Sequence, residues 1–152
     1  MVEKILPSGE KVHAYPITSS QKMMYLMSLK YGSGYPVNNI GCGYYWKGEM
    51  DVDILKESVY EAIERCDTMR LRFSLDKKHK VVQYVTAKSE LQVEEWDYTD
   101  KTIEEAEKEL TAISRQNIPM FNREIHKIAI IRFADGYHGI FARFQHLAMD
   151  AY

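Results

Sequence analysis

Glu124–Phe133 (EIHKIAIIRF) and Tyr137–Gln145 (YHGIFARFQ) flank the tripeptide Ala134-Asp135-Gly136, and the reading of this stretch decides the fold. Both runs are rich in β-branched and aromatic residues, and Asp-Gly supplies the positive φ that a tight reversal requires. They are expected to pair as an antiparallel hairpin. Alternation along the second run puts His138, Ile140, Ala142, Phe144 and His146 on one face, and Tyr137, Gly139, Phe141, Arg143 and Gln145 on the other. An imidazole thus stands at the end of a strand, with Asp150 four residues beyond it.

Working outward, Thr102 to Asn117 carries Ile103, Ala106, Leu110 and Ile113 on one face among glutamates, and Pro119 closes this helix. Asp51 opens a second amphipathic helix through Leu55, Val59, Ala62, Ile63 and Cys66. Thr18, Ser19 or Ser20 caps a helix over about 19 to 30, which Gly32 and Gly34 stop. Met69–Leu75 and Lys80–Val85 read as strands of a hairpin around the polar turn 76–79, and Leu91–Trp96 as a further strand. Tyr44, Tyr45 and Trp46 belong to a strand-like run and read as sheet-face residues. The pattern predicts one α/β domain: a mixed, largely antiparallel sheet with about three helices packed on it.

The chain has 152 residues, of which 45% are hydrophobic and 28% charged, as a folded domain requires. A formal charge of −2 gives no net attraction to nucleic acid or to an anionic membrane. No apolar run can serve as a signal peptide or membrane span. Cys42 and Cys66 match no disulfide framework, zinc site or Cys-x-x-Cys motif, and a reducing cytoplasm is the expected location. His13, His79, His126 and His138 show no shared ligand spacing, so no metal site is expected. Lys77, Lys78, His79 and Lys80 form a solvated turn, and Met23, Met24 and Met27 mark packing.

His146 is the candidate for chemistry, because imidazole titrates near neutrality and can take up and return a proton. The residues alone leave two roles open for Asp150: orienting the ring, or pairing with a cation to fix the turn. They equally allow a structural histidine at a strand end.

Phe144-Gln145-His146-Leu147-Ala148-Met149-Asp150-Ala151-Tyr152 resembles the H-H-x-x-x-D-G signature of nonribosomal peptide synthetase condensation domains, members of the chloramphenicol-acetyltransferase-like superfamily. Residues 18–27, Thr-Ser-Ser-Gln-Lys-Met-Met-Tyr-Leu-Met, are similar to the opening S-x-A-Q-x-R-x-W-x-L helix of that family. Residues 65–73, Arg-Cys-Asp-Thr-Met-Arg-Leu-Arg-Phe, resemble R-H-E-x-L-R-T-x-F, and Pro119-Met120-Phe121-Asn122-Arg123 resembles the P-x-F-R approach to the hairpin. The four motifs occur in family order across essentially the whole chain.

The resemblance implies a catalytic role for His146 when an acceptor amine attacks a thioester, and structural support from Asp150 bonded to Arg70. Gln145 stands in the place of the first histidine; its amide can hold the scaffold but cannot relay a proton. Ala151 replaces the motif glycine. Further implications are amide-bond formation by the complete domain, partnership with carrier protein domains, and phosphopantetheine borne by those carriers with no cofactor bound directly. The chain then corresponds, over residues 1–152, to an N-terminal lobe whose C-terminal lobe is absent. It is expected to be inactive alone and to self-associate through the uncovered face. Two alternatives accompany this reading: a stand-alone acyltransferase using a coenzyme A or carrier thioester, and a degenerate, non-catalytic module that docks carriers.

Overall fold

The computed structural model describes residues 2–32 and 37–149. Its backbone reverses where the sequence offers positive φ. Asp135 (φ 56°) and Gly136 (φ 71°) turn strand β7 into β8, while Gly9 (φ 87°) helps turn β1 into β2. The elements in chain order are β1 (Val2–Ile5), β2 (Lys11–Pro16), α1 (Ser19–Tyr31), β3 (Asn39–Lys47), α2 (Val52–Arg65), β4 (Leu71–Leu75), β5 (Val81–Val85), β6 (Val93–Tyr98), α3 (Ile103–Ser114), β7 (Lys127–Phe133) and β8 (Tyr137–Gln145).

The mixed α/β class, the three helices and the largely antiparallel pairing agree with the sequence reading. The strands, however, divide into two four-stranded sheets, ordered β1-β2-β5-β4 and β3-β8-β7-β6. In the second sheet β6 runs parallel to β7, because α3 carries the chain back across the sheet between them. The β7–β8 hairpin pairs Ile130 with Ile140, and β3 lines the other side of β8, with Asn39 opposite Gln145 and Trp46 opposite His138.

The second sheet is covered on both faces. Ile140, Ala142 and Phe144 pack with Ile128, Ile130 and Ile63 beneath α2, and Phe141 packs with Ile131, Phe133, Ala106 and Leu110 beneath α3. The alternation read along β8 is therefore correct as far as Gln145. Gly41 permits the close approach of α3 to β3, since a Cβ there would stand 2.6 Å from Ser114 Cβ.

Several boundaries shift for identifiable reasons. Met69 and Arg70 belong to a 3₁₀ turn, Asp67–Arg70, so β4 starts two residues later than the apolar run suggests. Helix α3 stops at Ser114 rather than Asn117, because Asn39 donates to the Ser114 and Gln116 carbonyls (2.7 Å each) and Arg143 to the Ile113 carbonyl (2.7 Å). Those side chains satisfy carbonyls that a longer helix would otherwise leave to its next turn. Strand β7 starts at Lys127 rather than Glu124, since Phe121 bridges to Phe73 and Glu124 pairs with Arg72, tying this segment to the first sheet. Strand β6 is displaced by two residues, to Val93–Tyr98.

Thr18 and Gln21 form a capping box at α1, Thr102 and Glu105 form another at α3, and Asp51 caps α2. No helix among the described residues is long and apolar enough to cross a membrane.

Candidate functional site

Strand β8 ends at Gln145, and His146 lies in the turn beyond it rather than in the strand. The turn closes through the Ala148 amide, which donates to the Gln145 carbonyl (2.9 Å). Leu147 anchors it. That side chain is 2% exposed and packs with Leu71, Phe73, Ile118 and Ile125, so the turn is pinned to the core between the first sheet and α1.

Two residues from outside the turn hold its backbone. The His146 amide donates to the Asn38 carbonyl at 2.6 Å, extending the β3–β8 ladder by one rung. Asn38 is itself buried, and its Nδ2 donates to the Met24 carbonyl of α1 at 2.9 Å. Gln21 uses both ends of its amide. Its Oε1 accepts from the Thr18 amide (2.8 Å) in the capping box, while its Nε2 donates to the Leu147 carbonyl (3.0 Å) and to Gln83 Oε1 (2.7 Å). Helix α1 and the β3 approach therefore fix the turn that carries the imidazole.

The ring itself is half-buried, with Nδ1 3.1 Å from the Met149 carbonyl oxygen. A carbonyl can only accept, so this contact requires a proton on Nδ1. In the neutral ring Nε2 then carries the lone pair. The turn thus presets the tautomer that a proton acceptor at Nε2 needs.

Gln145 is 6% exposed, and its buried Oε1 has no partner among the described residues. Gln145 and Asn38, whose Oδ1 likewise has no partner among the described residues, line one cavity of about 230 Å³ with Tyr25, Leu29 and Phe121.

Asp150 and Ala151 lie outside the described residues, so the contact expected between Asp150 and Arg70 lies outside them too. Arg70 has other partners: its terminal nitrogens donate to Asp67 Oδ1 (2.6 Å) and to the Thr86 carbonyl (2.6 Å), while its buried Nε has no partner among the described residues. Arg72, two residues on in β4, is the more deeply enclosed of the two arginines. Arg72, 3% exposed, pairs with Glu124 and donates to the Leu71 carbonyl at 2.9 Å. Glu124 Oε1 also accepts from Ser89 Oγ (2.9 Å) and the Glu90 amide (2.7 Å).

His126 is structural. Its Nε2 meets the Thr68 carbonyl at 3.0 Å, its ring stands edge-on to Phe144, and burial pushes its pKa down to about 4. Among the described residues no group of three or more His, Cys, Asp or Glu side chains could hold a metal ion.

Gln21 enters the sequence reading only as a motif position, and its Thr-x-x-Gln spacing signals the cap but not the reach to Leu147. Asn38 was missed altogether. Its contribution comes from strand register, for which the sequence offers no local signal.

The condensation domain family model matches residues 11–152. The chain belongs to the condensation domain family. Surfactin synthase subunit 1 of Bacillus subtilis (strain 168) is 22% identical over 139 residues, covering 90% of this chain and 4% of that protein. The starter condensation domain of rhizomide synthetase RzmA superposes with a TM-score of 0.81 at 20% identity, over 92% of this chain and 35% of that one. The first condensation domain of the calcium-dependent antibiotic synthetase, in complex with a substrate analogue, gives 0.76 at 14% identity, over 88% of this chain and 34% of that one. This condensation domain sequence thus spans about a third of each solved relative and a small part of the curated one.

Proposed function

We propose that residues 1–152 are the N-terminal lobe of a nonribosomal peptide synthetase condensation domain. The complete domain joins a carrier-bound acyl or aminoacyl thioester to an amine in the cytoplasm. The observation that carries the reading is the Nδ1 contact of His146 with Met149, which leaves Nε2 as the accepting nitrogen on an anchored turn. In the reaction the acceptor amine attacks the thioester carbonyl carbon, a C–N bond forms and the C–S bond breaks. His146 Nε2 takes the proton that the amine loses and returns it to the departing phosphopantetheine thiolate. Gln145 contributes packing behind the turn and no proton transfer. Asp150 and Arg70 are assigned to supporting the turn rather than to chemistry.

Carrier protein domains are the proposed partners, and phosphopantetheine arrives on them. A C-terminal lobe supplies the second wall of the substrate channel, so residues 1–152 alone hold neither both reactants nor a water-excluding site. His146→Ala in the complete condensation domain, assayed with donor- and acceptor-loaded carriers, is expected to lower product formation by about 10²-fold or more. Undiminished product would remove the imidazole from the reaction and favour another catalyst, or a docking role for this lobe.

A further inference from the structure

The β3-β8-β7-β6 sheet is covered on both faces but open along one side. Strand β3 pairs only with β8 among the described residues. Its hydrogen-bonding phase is set by the His146 amide, which reaches the Asn38 carbonyl opposite it, so residues 40, 42, 44 and 46 also bond toward β8. The amides and carbonyls of residues 39, 41, 43, 45 and 47 therefore point away from the sheet. None of them bonds to another backbone group among the described residues.

The other three sheet edges are protected against further pairing. Strand β1 has four residues and carries Glu3 and Lys4, β6 carries Glu94, Glu95 and Asp97, and β4 is met by Phe121. Strand β3 has nine residues, no proline and a single charge, Lys47, at its end. Gly41 and Gly43 are exposed, and Tyr44 is 67% exposed. A long apolar strand with its outward groups free is a template for another strand.

The sequence of β3 selects a second copy of itself. In an antiparallel pair of identical strands, the outward groups bond when odd-numbered residues face odd-numbered ones. One such register pairs all nine residues, with Gly43 opposite Gly43. Gly41 then faces Tyr45, an aromatic ring over bare backbone, while Cys42 faces Tyr44 and Ile40 faces Trp46. Lys47 faces Asn39, so no like charges meet. Moving the axis to residue 42 or 44 leaves two residues of each strand unpaired and sets Cys42 or Tyr44 against itself.

We propose that two copies of the chain pair antiparallel through β3 about a two-fold axis at Gly43, joining their β3-β8-β7-β6 sheets into one. The dimer places the partner's Lys47 opposite Asn39, next to the Asn38 rung that holds the His146 turn. The interface and the candidate site thus share a strand.

The test uses the full chain. Light scattering from micromolar to millimolar concentration is expected to show the mass rising to twice that of one chain. Tyr44→Lys puts a charge on the open edge and replaces no buried side chain. It is expected to weaken the dimer at least about tenfold, with the urea midpoint of the monomer unchanged. Tyr44→Cys in a Cys66→Ser background sets thiols 42 and 44 of opposite chains in a non-hydrogen-bonded pair, with Cα atoms about 4.5 Å apart. Oxidised glutathione is expected to convert those two thiols to a disulfide, itself leaving as two reduced molecules, and to yield a covalent dimer that Cys42→Ser abolishes. A chain that stays monomeric, a dimer unmoved by Tyr44→Lys, or a cross-link that survives Cys42→Ser would overturn the proposal. No condensation activity is read, so the outcome is independent of the role assigned to His146.

Discussion

The two sheets of this molecule differ in how far they are enclosed. The β3-β8-β7-β6 sheet is sealed by α2 on one face and α3 on the other, and Ala129 and Ile131 at its centre are fully buried. The β1-β2-β5-β4 sheet shares its core with α1, and α1 contains no fully buried residue. The sealed sheet holds the fold. The open region supplies Gln21, which together with Asn38 at the start of β3 holds the His146 turn, and leaves Met23 and Leu26 of α1 exposed. The helix that braces the proposed site is thus the least enclosed of the three, as expected where a site must remain accessible.

The contrast can be broken most sharply by paired truncations. Ile131→Ala removes a fully buried side chain from the sealed half and is expected to cost about 2–5 kcal/mol. Leu26→Ala, at an exposed position of α1, is expected to stay within about 0.5 kcal/mol. Urea denaturation of both variants checks this, and equal losses would erase the distinction.

A smaller effect sharpens the boundary between the halves, where His126 lies between the 3₁₀ turn and Phe144. Its folded pKa of about 4 lies below the ordinary histidine value of 6.5, so the unfolded chain binds the proton first as pH falls. The contribution of the neutral ring is fully present above pH 6.5, is lost progressively between 6.5 and 4, and amounts to up to about 3 kcal/mol. Denaturation midpoints measured across this range should fall with pH, and His126→Leu should flatten the fall. An unchanged slope in the variant would assign the acid sensitivity elsewhere.

Much of the sealed half is legible from local pattern. Asp135-Gly136 announces the β7–β8 reversal, and the apolar stripes of α2 and α3 specify both helices and their buried faces. The division into two sheets is not legible, since the pairing of β2 with β5 and of β6 with β7 joins segments far apart in sequence. The β1–β2 hairpin did leave a signal: Val12 and Ala14 alternate with Lys11, His13 and Tyr15 after the turn residues Pro7, Ser8 and Gly9. At the site, His146 was legible because its motif is contiguous. Asn38 and Leu147 were not, because what they do depends on register and on a core that forms only when distant elements meet. The Arg72–Glu124 pair was hidden for the same reason, its members being 52 residues apart.

The central claim is that the turn after β8 fixes the tautomer of His146. Long-range ¹H–¹⁵N NMR of the ¹⁵N-labelled chain, at a pH where the ring is neutral and with His146→Ala used for assignment, reads that tautomer directly. A proton on Nδ1 and a bare Nε2 are expected for His146; a proton on Nε2 with a bare Nδ1 would contradict the account.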